Sequence, residues 1–385
     1  MTGLELPVVD TDTYRQYREA SADGCASAHV VPKNVHNDCV RLAEALAQYG
    51  AVVIRASTVP AADNKAFLKL MAAYFAQPDK VEDARPELNY QVGWTPAFTE
   101  RPRPIPPDFK GDDPVTPRPS EPSLPSPPDP KERFLWRIGP RPLHSRFPEQ
   151  NATPVIPKRF AEQWADVMDR WGGRLLDVIR LVAEMMALGL GLERDIFTSR
   201  MEFGPHLLAP TGSNLSELRG KPNRVLAGFH YDLCFLTIHG KANAPGLYLW
   251  TRSGSRFPAR VPQGCLLVQS GLQLEWLTGG VIRRGYHEVV ADEAALALAQ
   301  QHDQDQRARP AAQQRPFWRV SSTLFAHIAS DQVLEPLPEM KHLPNAAAYP
   351  PILAGALVRQ ELMAIALCPK TTDKESCQRN PNAQT

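Results

Sequence analysis

From about Val225 to Leu337 the chain is a succession of short apolar runs, each closed by turn residues: VLAGFHYD, FLTIHG, GLYLWT, FPARV, GCLLVQSG, LEWLTGG, YHEVV and WRVSSTLFAHI. Such runs, β-branched and aromatic, read as strands. Arg252-Ser-Gly-Ser255 and Thr278-Gly-Gly280 supply hairpin-type breaks between them. Many short strands at this spacing predict a sandwich or double-sheet jelly roll. One polar stretch, 291–315, interrupts the series and predicts a short helix from Asp292 followed by a polar loop.

Helices surround this region. LPVVD at 6–10 suits a strand, and Val40, Leu42, Ala43, Leu46 and Ala47 recur at helical spacing up to a stop at Gly50. AVVIRAS follows as a strand, and a second helix is expected over Ala62–Phe75. Phe160, Trp164, Val167/Met168, Trp171, Leu175, Val178/Ile179, Val182 and Met185/Met186 step by three or four, predicting a long amphipathic helix that ends near Gly189 and Gly191. Its aromatics and methionines read as core. A last helix is expected over Ile352–Leu367, with Pro351 at its first turn. The fold class is therefore α+β: a jelly-roll core flanked by helices, one of them long and central. The expected divisions are an N-terminal region 1–100, a Pro-rich segment 101–131, a long-helix region 155–200, a core 201–340 carrying the insertion 291–315, and a C-terminal helix 350–368.

Composition matters at one place. Of 38 prolines in 385 residues, 12 fall between Pro102 and Pro130. No regular element survives that density, so an extended loop or linker is expected, either a surface excursion or a flap over a site mouth. Elsewhere composition mainly excludes. Lys plus Arg, 43, nearly cancels Asp plus Glu, 42, so no global field recruits nucleic acid or an anionic membrane. No 18-residue apolar run occurs, and the opening MTGLELPVVDTD lacks the apolar stretch of a signal peptide. Six scattered cysteines without a CxxC pair predict reduced thiols and a cytoplasmic location.

Chemistry concentrates in the β region. In His230-Tyr-Asp232, residues i and i+2 of a strand share a face, so imidazole and carboxylate can converge on one ion. His287 follows in another strand-like run. Two histidines and a carboxylate form a facial triad that leaves positions open for a cosubstrate and O2 on Fe(II). Such a triplet alone also arises by chance around a structural histidine. Arg319-Val-Ser321 lies on the following strand-like run, where a guanidinium and a hydroxyl sharing a face can grip a carboxylate. Taken alone, an exposed arginine on a surface strand would look the same.

The stretch from HYDLCFLTIHG through GLYLWTRSGSRFPARVPQGCLLVQSG to LEWLTGGVIRRGYHEVV, then RVSSTLFAHIASDQVLEPLP, resembles the 2-oxoglutarate/Fe(II)-dependent dioxygenase superfamily in its isopenicillin N synthase-like branch. LPVVD with AEALAQYGAVVIRAS, and the long helix with GLGLERDIF, resemble the family's N-terminal and central regions. The resemblance implies a double-stranded β-helix core. It implies His230, Asp232 and His287 as Fe(II) ligands, and Arg319 and Ser321 as the grip on the far carboxylate of 2-oxoglutarate. It also implies O2-dependent conversion of 2-oxoglutarate to succinate and CO2, coupled to hydroxylation, desaturation or cyclisation of a small organic molecule. Asp232 argues against the halogenating variant, in which a small residue stands there.

Three departures accompany it. His287 and Arg319 are farther apart than is usual in the family because 291–315 intervenes. Pro205-His-Leu-Leu-Ala-Pro210 stands where an Asn-Tyr-Tyr-Pro stretch is common. The segment 102–130 has no family equivalent. Phe229, Trp250, Phe325 and His327 are candidate pocket walls, with core packing the competing role. His206 is a further candidate, Tyr231 is expected on the opposite face of its strand, and His239 is expected to be structural. Two other functions fit the same pattern: an oxidase of this fold using O2 without 2-oxoglutarate, and a non-catalytic jelly-roll binding protein. The oligomeric state is left open.

Overall fold

The computed structural model describes residues 5–22, 31–103, 127–218, 221–310 and 313–367. Most of the expected segment 101–131 therefore lies outside the described residues, as does everything after residue 367.

The N-terminal region alternates strand and helix: β1 (Val8–Asp10), α1 (Asp12–Ala22), α2 (Lys33–Tyr49), β2 (Ala51–Arg55) and α3 (Ala61–Phe75). Gly50 ends α2 in the left-handed region at φ 65°, its N–H donating to the Leu46 carbonyl, which is the conformation a glycine adopts without penalty. β3 (Gly93–Thr95) and β4 (Glu132–Ile138) follow, then α4 (Ala161–Gly189). α4 buries Trp164, Met168, Trp171, Leu175, Ile179, Val182 and Met186, the stripe its spacing predicts, against α2, α3 and the underside of the larger sheet. Trp171 also donates from Nε1 to Ser322 Oγ at 2.9 Å, tying the helix to the strand region above it.

The strands are β5 (His206–Leu208), β6 (Thr211–Asn214), β7 (Arg224–Tyr231), β8 (Leu236–His239), β9 (Leu247–Trp250), β10 (Arg256–Pro258), β11 (Cys265–Ser270), β12 (Tyr286–Ala291), β13 (Trp318–Val320), β14 (Thr323–Ala326), β15 (Val333–Leu334) and β16 (Ile352–Leu353). Three helices are interspersed: α5 (Leu272–Leu277), α6 (Glu293–Arg307) and α7 (Ala354–Ala364). The larger sheet runs β1-β2-β11-β8-β14-β5-β4-β6-β13, with β3 paired to β4. The smaller runs β10-β9-β12-β7. Leu249 and Phe257 of the smaller sheet pack with Ala51, Val53, Cys265 and Leu267 of the larger, so the two face each other.

Several expectations are corrected in detail. Leu272–Leu277, strand-like in sequence, is the helix α5, opened by Gly271 and held against the loop that carries Asp232. The C-terminal helix starts at Ala354, because Ile352 and Leu353 pair with β15. The inserted stretch is mostly helix: α6 is capped by Asp292, whose Oδ1 accepts from Ala295 N at 2.8 Å. α1, β3, β5 and β6 carry no strong periodic signal, being short or polar.

Candidate metal centre

β7 and β12 are antiparallel neighbours, and His230 and His287 are directly paired across them. Paired residues project on one face, so both imidazoles enter the space between the sheets. The register slips between His287 and Val289, leaving an extra residue on β7 around Gly228. Such a bulge re-aims the side chains beside it. Asp232 stands just past the end of β7. One ligand atom from each of His230, Asp232 and His287 lies within 4.8 Å of the others, the only such group among the described residues.

Each of the three side chains is fixed from behind. His230 Nδ1 donates to the Gly228 carbonyl at 2.6 Å, and the His287 ring bonds the Gly285 backbone, so Nε2 of His287 is free toward Asp232 at 3.9 Å. The Asp232 carboxylate accepts from Thr237 Oγ1 at 2.6 Å, while its carbonyl accepts from Leu272 N at the start of α5. Partners of this kind set tautomer and ring orientation in metal sites. Burial, reinforced by His287, pushes the His230 pKa down to about 3, and burial lowers His287 as well. For Asp232 burial acts upward, but His287, His230 and the Thr237 hydroxyl outweigh it and hold the carboxyl below its usual range. The three groups thus present two neutral imidazoles and a carboxylate at neutral pH, the donor set that suits a divalent first-row metal.

Two cavities meet at this cluster. The larger, about 400 Å³, is lined by His230, Asp232, His287, His239, Arg319 and Ser321 among others. Arg319 is only 4% exposed, and its Nε donates to the Pro245 carbonyl at 2.7 Å. No carboxylate of the described residues lies within ion-pair distance of it. Burial lowers its pKa to about 10, so it stays charged at neutral pH. Ser321 Oγ accepts from Thr211 N at 2.8 Å and lies 3.0 Å from Thr211 Oγ1. Arg319 and Ser321 therefore share this cavity with the triad.

The smaller cavity, about 90 Å³, is lined by His230, Asp232, Glu100, Lys131, Arg133, Phe325 and His327 among others. Of the four candidate pocket walls, Phe325 lines both cavities and His327 this one. Phe229 and Trp250 line neither: the ring of Phe229 stacks on Tyr286 at 5.0 Å and meets Trp250 edge-on, on the other face of β7 from His230. Strand alternation, applied one residue before His230, already places Phe229 there. Tyr231 keeps its expected place on the face opposite His230: it pairs with Tyr286 and meets that ring edge-on at 5.7 Å, and it also edges the smaller cavity and accepts a bond from Arg103 at 2.7 Å. His239, expected to be structural, lines the larger cavity and bonds Gln269 and Thr323. His206 is buried behind His327, whose N–H it accepts.

A buried charged cluster is not foreshadowed by the sequence. Lys131 pairs with Asp129 and, at 2.9 Å, with Glu100; Arg133 reaches Glu100 at 2.8 Å. Burial raises Glu100 and lowers Lys131, but their mutual attraction, with Arg133 and Asp129, reverses both, so both are ionised. Asp129 Oδ1 accepts from Gly228 N, which links the cluster to the strand that carries His230.

No protein-family model and no curated protein matches the chain. Solved structures do. A protein of Caulobacter crescentus assigned to the 2OG-Fe(II) oxygenase family is similar over 94% of this chain and 99% of its own, with TM-score 0.66 and 22% identity. A full-length Neurospora crassa protein in complex with alpha-KG matches 94% of this chain and 97% of its own, with TM-score 0.67 and 17% identity; it has also been solved with alpha-KG and thymine. JOX2 in complex with 2OG, Fe and JA matches 94% and 86%, with TM-score 0.61 and 15% identity. At these identities the likeness is one of fold, and the mixed helix-and-sheet fold of this chain is the one these oxygenases have.

Proposed function

We propose that this chain is a non-haem Fe(II) and 2-oxoglutarate-dependent oxygenase of a small organic molecule. In this reading the paired sheets are a double-stranded β-helix of the isopenicillin N synthase-like kind. Residues 201–340 are its catalytic core, 1–100, 155–200 and 350–368 cover it, and 101–131 connects. The observation that carries the proposal is the cavity of about 400 Å³ whose wall holds both the His230–Asp232–His287 cluster and the buried Arg319, which has no carboxylate partner among the described residues.

His230, Asp232 and His287 would hold Fe(II) from three sides. A closed structural site would use four protein ligands, which these described residues do not supply. Arg319 and Ser321 would bind the far carboxylate of 2-oxoglutarate, for which a buried guanidinium beside a hydroxyl is well suited. Bound together, Fe(II), 2-oxoglutarate and O2 supply oxidative decarboxylation to succinate and CO2, coupled to oxidation of a substrate C–H bond. The protein's part is orientation: the Gly228 and Gly285 backbones fix the imidazoles, Thr237 fixes the carboxylate, and Phe325 stands where the two cavities meet. That the Neurospora crassa protein has been solved with thymine supports a small organic substrate. Free, buried Cys39, Cys234 and Cys265 support a reduced, cytoplasmic setting.

Anaerobic addition of Fe(II) and 2-oxoglutarate should give a visible charge-transfer band that His230→Ala abolishes, and O2 should then yield succinate. The band without succinate would favour an oxidase of this fold. Neither band nor O2 consumption would leave only a binding protein.

A further inference from the structure

Strand alternation divides the side chains of β4 between two faces. Phe134 and Trp136 turn toward α4, where Phe134 meets Trp164 edge-on at 4.8 Å and Trp136 donates to Asp169. Arg133 and Leu135 therefore project from the other face, and Leu135 packs there with Leu207, Ala209 and Phe325. Arg133 pairs with Thr211 across β4 and β6, and paired residues share a face. Thr211 N donates to Ser321 Oγ at 2.8 Å, so Arg133 starts beside the strand region that carries the Ser321 hydroxyl. Its guanidinium carbon lies 5.8 Å from the centroid of the Phe325 ring. Phe325 in turn pairs with Thr237, whose hydroxyl holds Asp232. The side chain thus reaches from the Ser321 side of the sheet toward the His230–Asp232–His287 group. Arg319 and Ser321 line the larger cavity and not the smaller, whereas Arg133 lines both, as do His230, Asp232 and Phe325. Arg133 stands where the cavities meet.

Its hydrogen bonds leave one arm over. Nη2 donates to Glu100 Oε2 at 2.8 Å, and Nε is closed off without a partner. Nη1 has no partner among the described residues either, but it is not closed off. Lys131, the neighbouring cation, differs: it is 7% exposed and its ammonium is engaged by both Asp129 and Glu100. A planar guanidinium can hold one carboxylate on one arm and present another arm to a second acceptor. The bond to Glu100 also keeps Arg133 in place before any ligand arrives.

We propose that Arg133 is a third cosubstrate-binding residue beside Arg319 and Ser321, its Nη1 donating to the carboxylate next to the 2-oxo group, the one released as CO2. Arg319 and Ser321, which line only the larger cavity, take the far carboxylate; Arg133, at the junction with His230 and Asp232, takes the near one. A dianionic 2-oxo acid then meets a guanidinium at each end. The inference rests on the oxygenase reading of the triad and adds to it the residue that orients the leaving carboxylate.

The test titrates the Zn(II)-loaded full chain calorimetrically with 2-oxoglutarate and with 2-oxopentanoate, which lacks the far carboxylate. Arg133→Gln and Arg133→Lys should each weaken both ligands about tenfold or more, with Zn(II) affinity unchanged. Arg319→Gln should weaken 2-oxoglutarate alone. Arg133→Lys keeps a charge beside Glu100 but has one nitrogen where two arms are needed, so it decides by itself should Arg133→Gln not fold. Wild-type affinity for both ligands in Arg133→Lys overturns the proposal by confining Arg133 to a structural role. A loss limited to 2-oxoglutarate, or no binding of 2-oxopentanoate to wild type where 2-oxoglutarate binds, overturns the assignment to the near carboxylate. A matching loss of Zn(II) affinity overturns it too, by placing the effect on the metal. In parallel, anaerobic Fe(II)-loaded wild type is examined for the charge-transfer band with 2-oxoglutarate. The band together with unaltered binding in the Arg133 variants removes this inference and keeps the oxygenase reading; no band and no 2-oxoglutarate binding removes both.

Discussion

His230 and His287 are partners across the β7–β12 pair, their ring centroids 4.1 Å apart, so two residues far apart in sequence are held by one strand register. The smaller sheet thus sets the distance between the two backbones from which the imidazoles project.

Removing one ligand should therefore abolish tight metal binding while leaving the fold. Metal bound at a hundredfold its Kd stabilises the native state by about 2.7 kcal/mol. Wild-type protein should thus melt several degrees higher with Fe(II) or Mn(II), whereas His287→Ala should show no metal-dependent rise. A full rise in the variant would show that His287 is not a ligand.

Arg319→Gln removes the buried guanidinium but keeps a polar side chain. Hydrogen bonds to a charged group contribute about 1.5–3 kcal/mol, so the KM for 2-oxoglutarate should rise about 10- to 150-fold, with metal affinity unchanged. Arg319→Lys should restore little, because a point charge lacks the planar fork. Steady-state succinate formation against cosubstrate concentration checks both.

How much of this is legible in the sequence follows from separation. His230 and Asp232 announce themselves because a strand puts i and i+2 on one face, and Arg319 with Ser321 by the same rule. Even Phe229, which lines neither cavity, obeys it, since its odd offset from His230 sends the ring to Tyr286. Glu100, Asp129 and Lys131 carry no such local signature. Their meaning lies in burial and in pairing across β4 and its neighbours, which periodicity does not encode. The helix α5 looks strand-like because six residues are too few to separate the two periods.

Acid should unfold the metal-free protein through its buried histidines. Burial and the Arg137 charge hold His206 well below the ordinary 6.5 and His327 at about 3; burial and His287 hold His239 at about 4. The unfolded chain takes up these protons near 6.5, while the folded imidazoles remain neutral. The unfolded state binds more protons throughout that interval, so stability is full above about pH 6.5 and falls as pH drops toward 3. Urea midpoints of apo protein between pH 7 and 4.5 should decline, and His327→Gln should decline less steeply, by up to one proton. Parallel slopes would show that His327 does not titrate in this way.

Lys131 links the charged cluster to the His230–Asp232–His287 group by a continuous chain. Its ammonium pairs with Asp129, Asp129 Oδ1 accepts from Gly228 N at 3.0 Å, and the Gly228 carbonyl accepts from His230 Nδ1 at 2.6 Å. Lys131→Met keeps the stem but leaves the Glu100 and Asp129 carboxylates without their ammonium in a wall where Lys131 itself is 7% exposed. Breaking a buried pair from one side costs about 3–5 kcal/mol, so the variant should lose that much in urea unfolding. The same change frees the Asp129 carboxylate to rotate, loosening Gly228 and the ring behind it. Metal affinity should then fall about 10- to 100-fold, the range found when partners behind a ligand are removed. Lys131→Arg, which restores the positive charge, should recover most of the affinity; stability lost with metal affinity unchanged would confine the cluster to a structural role.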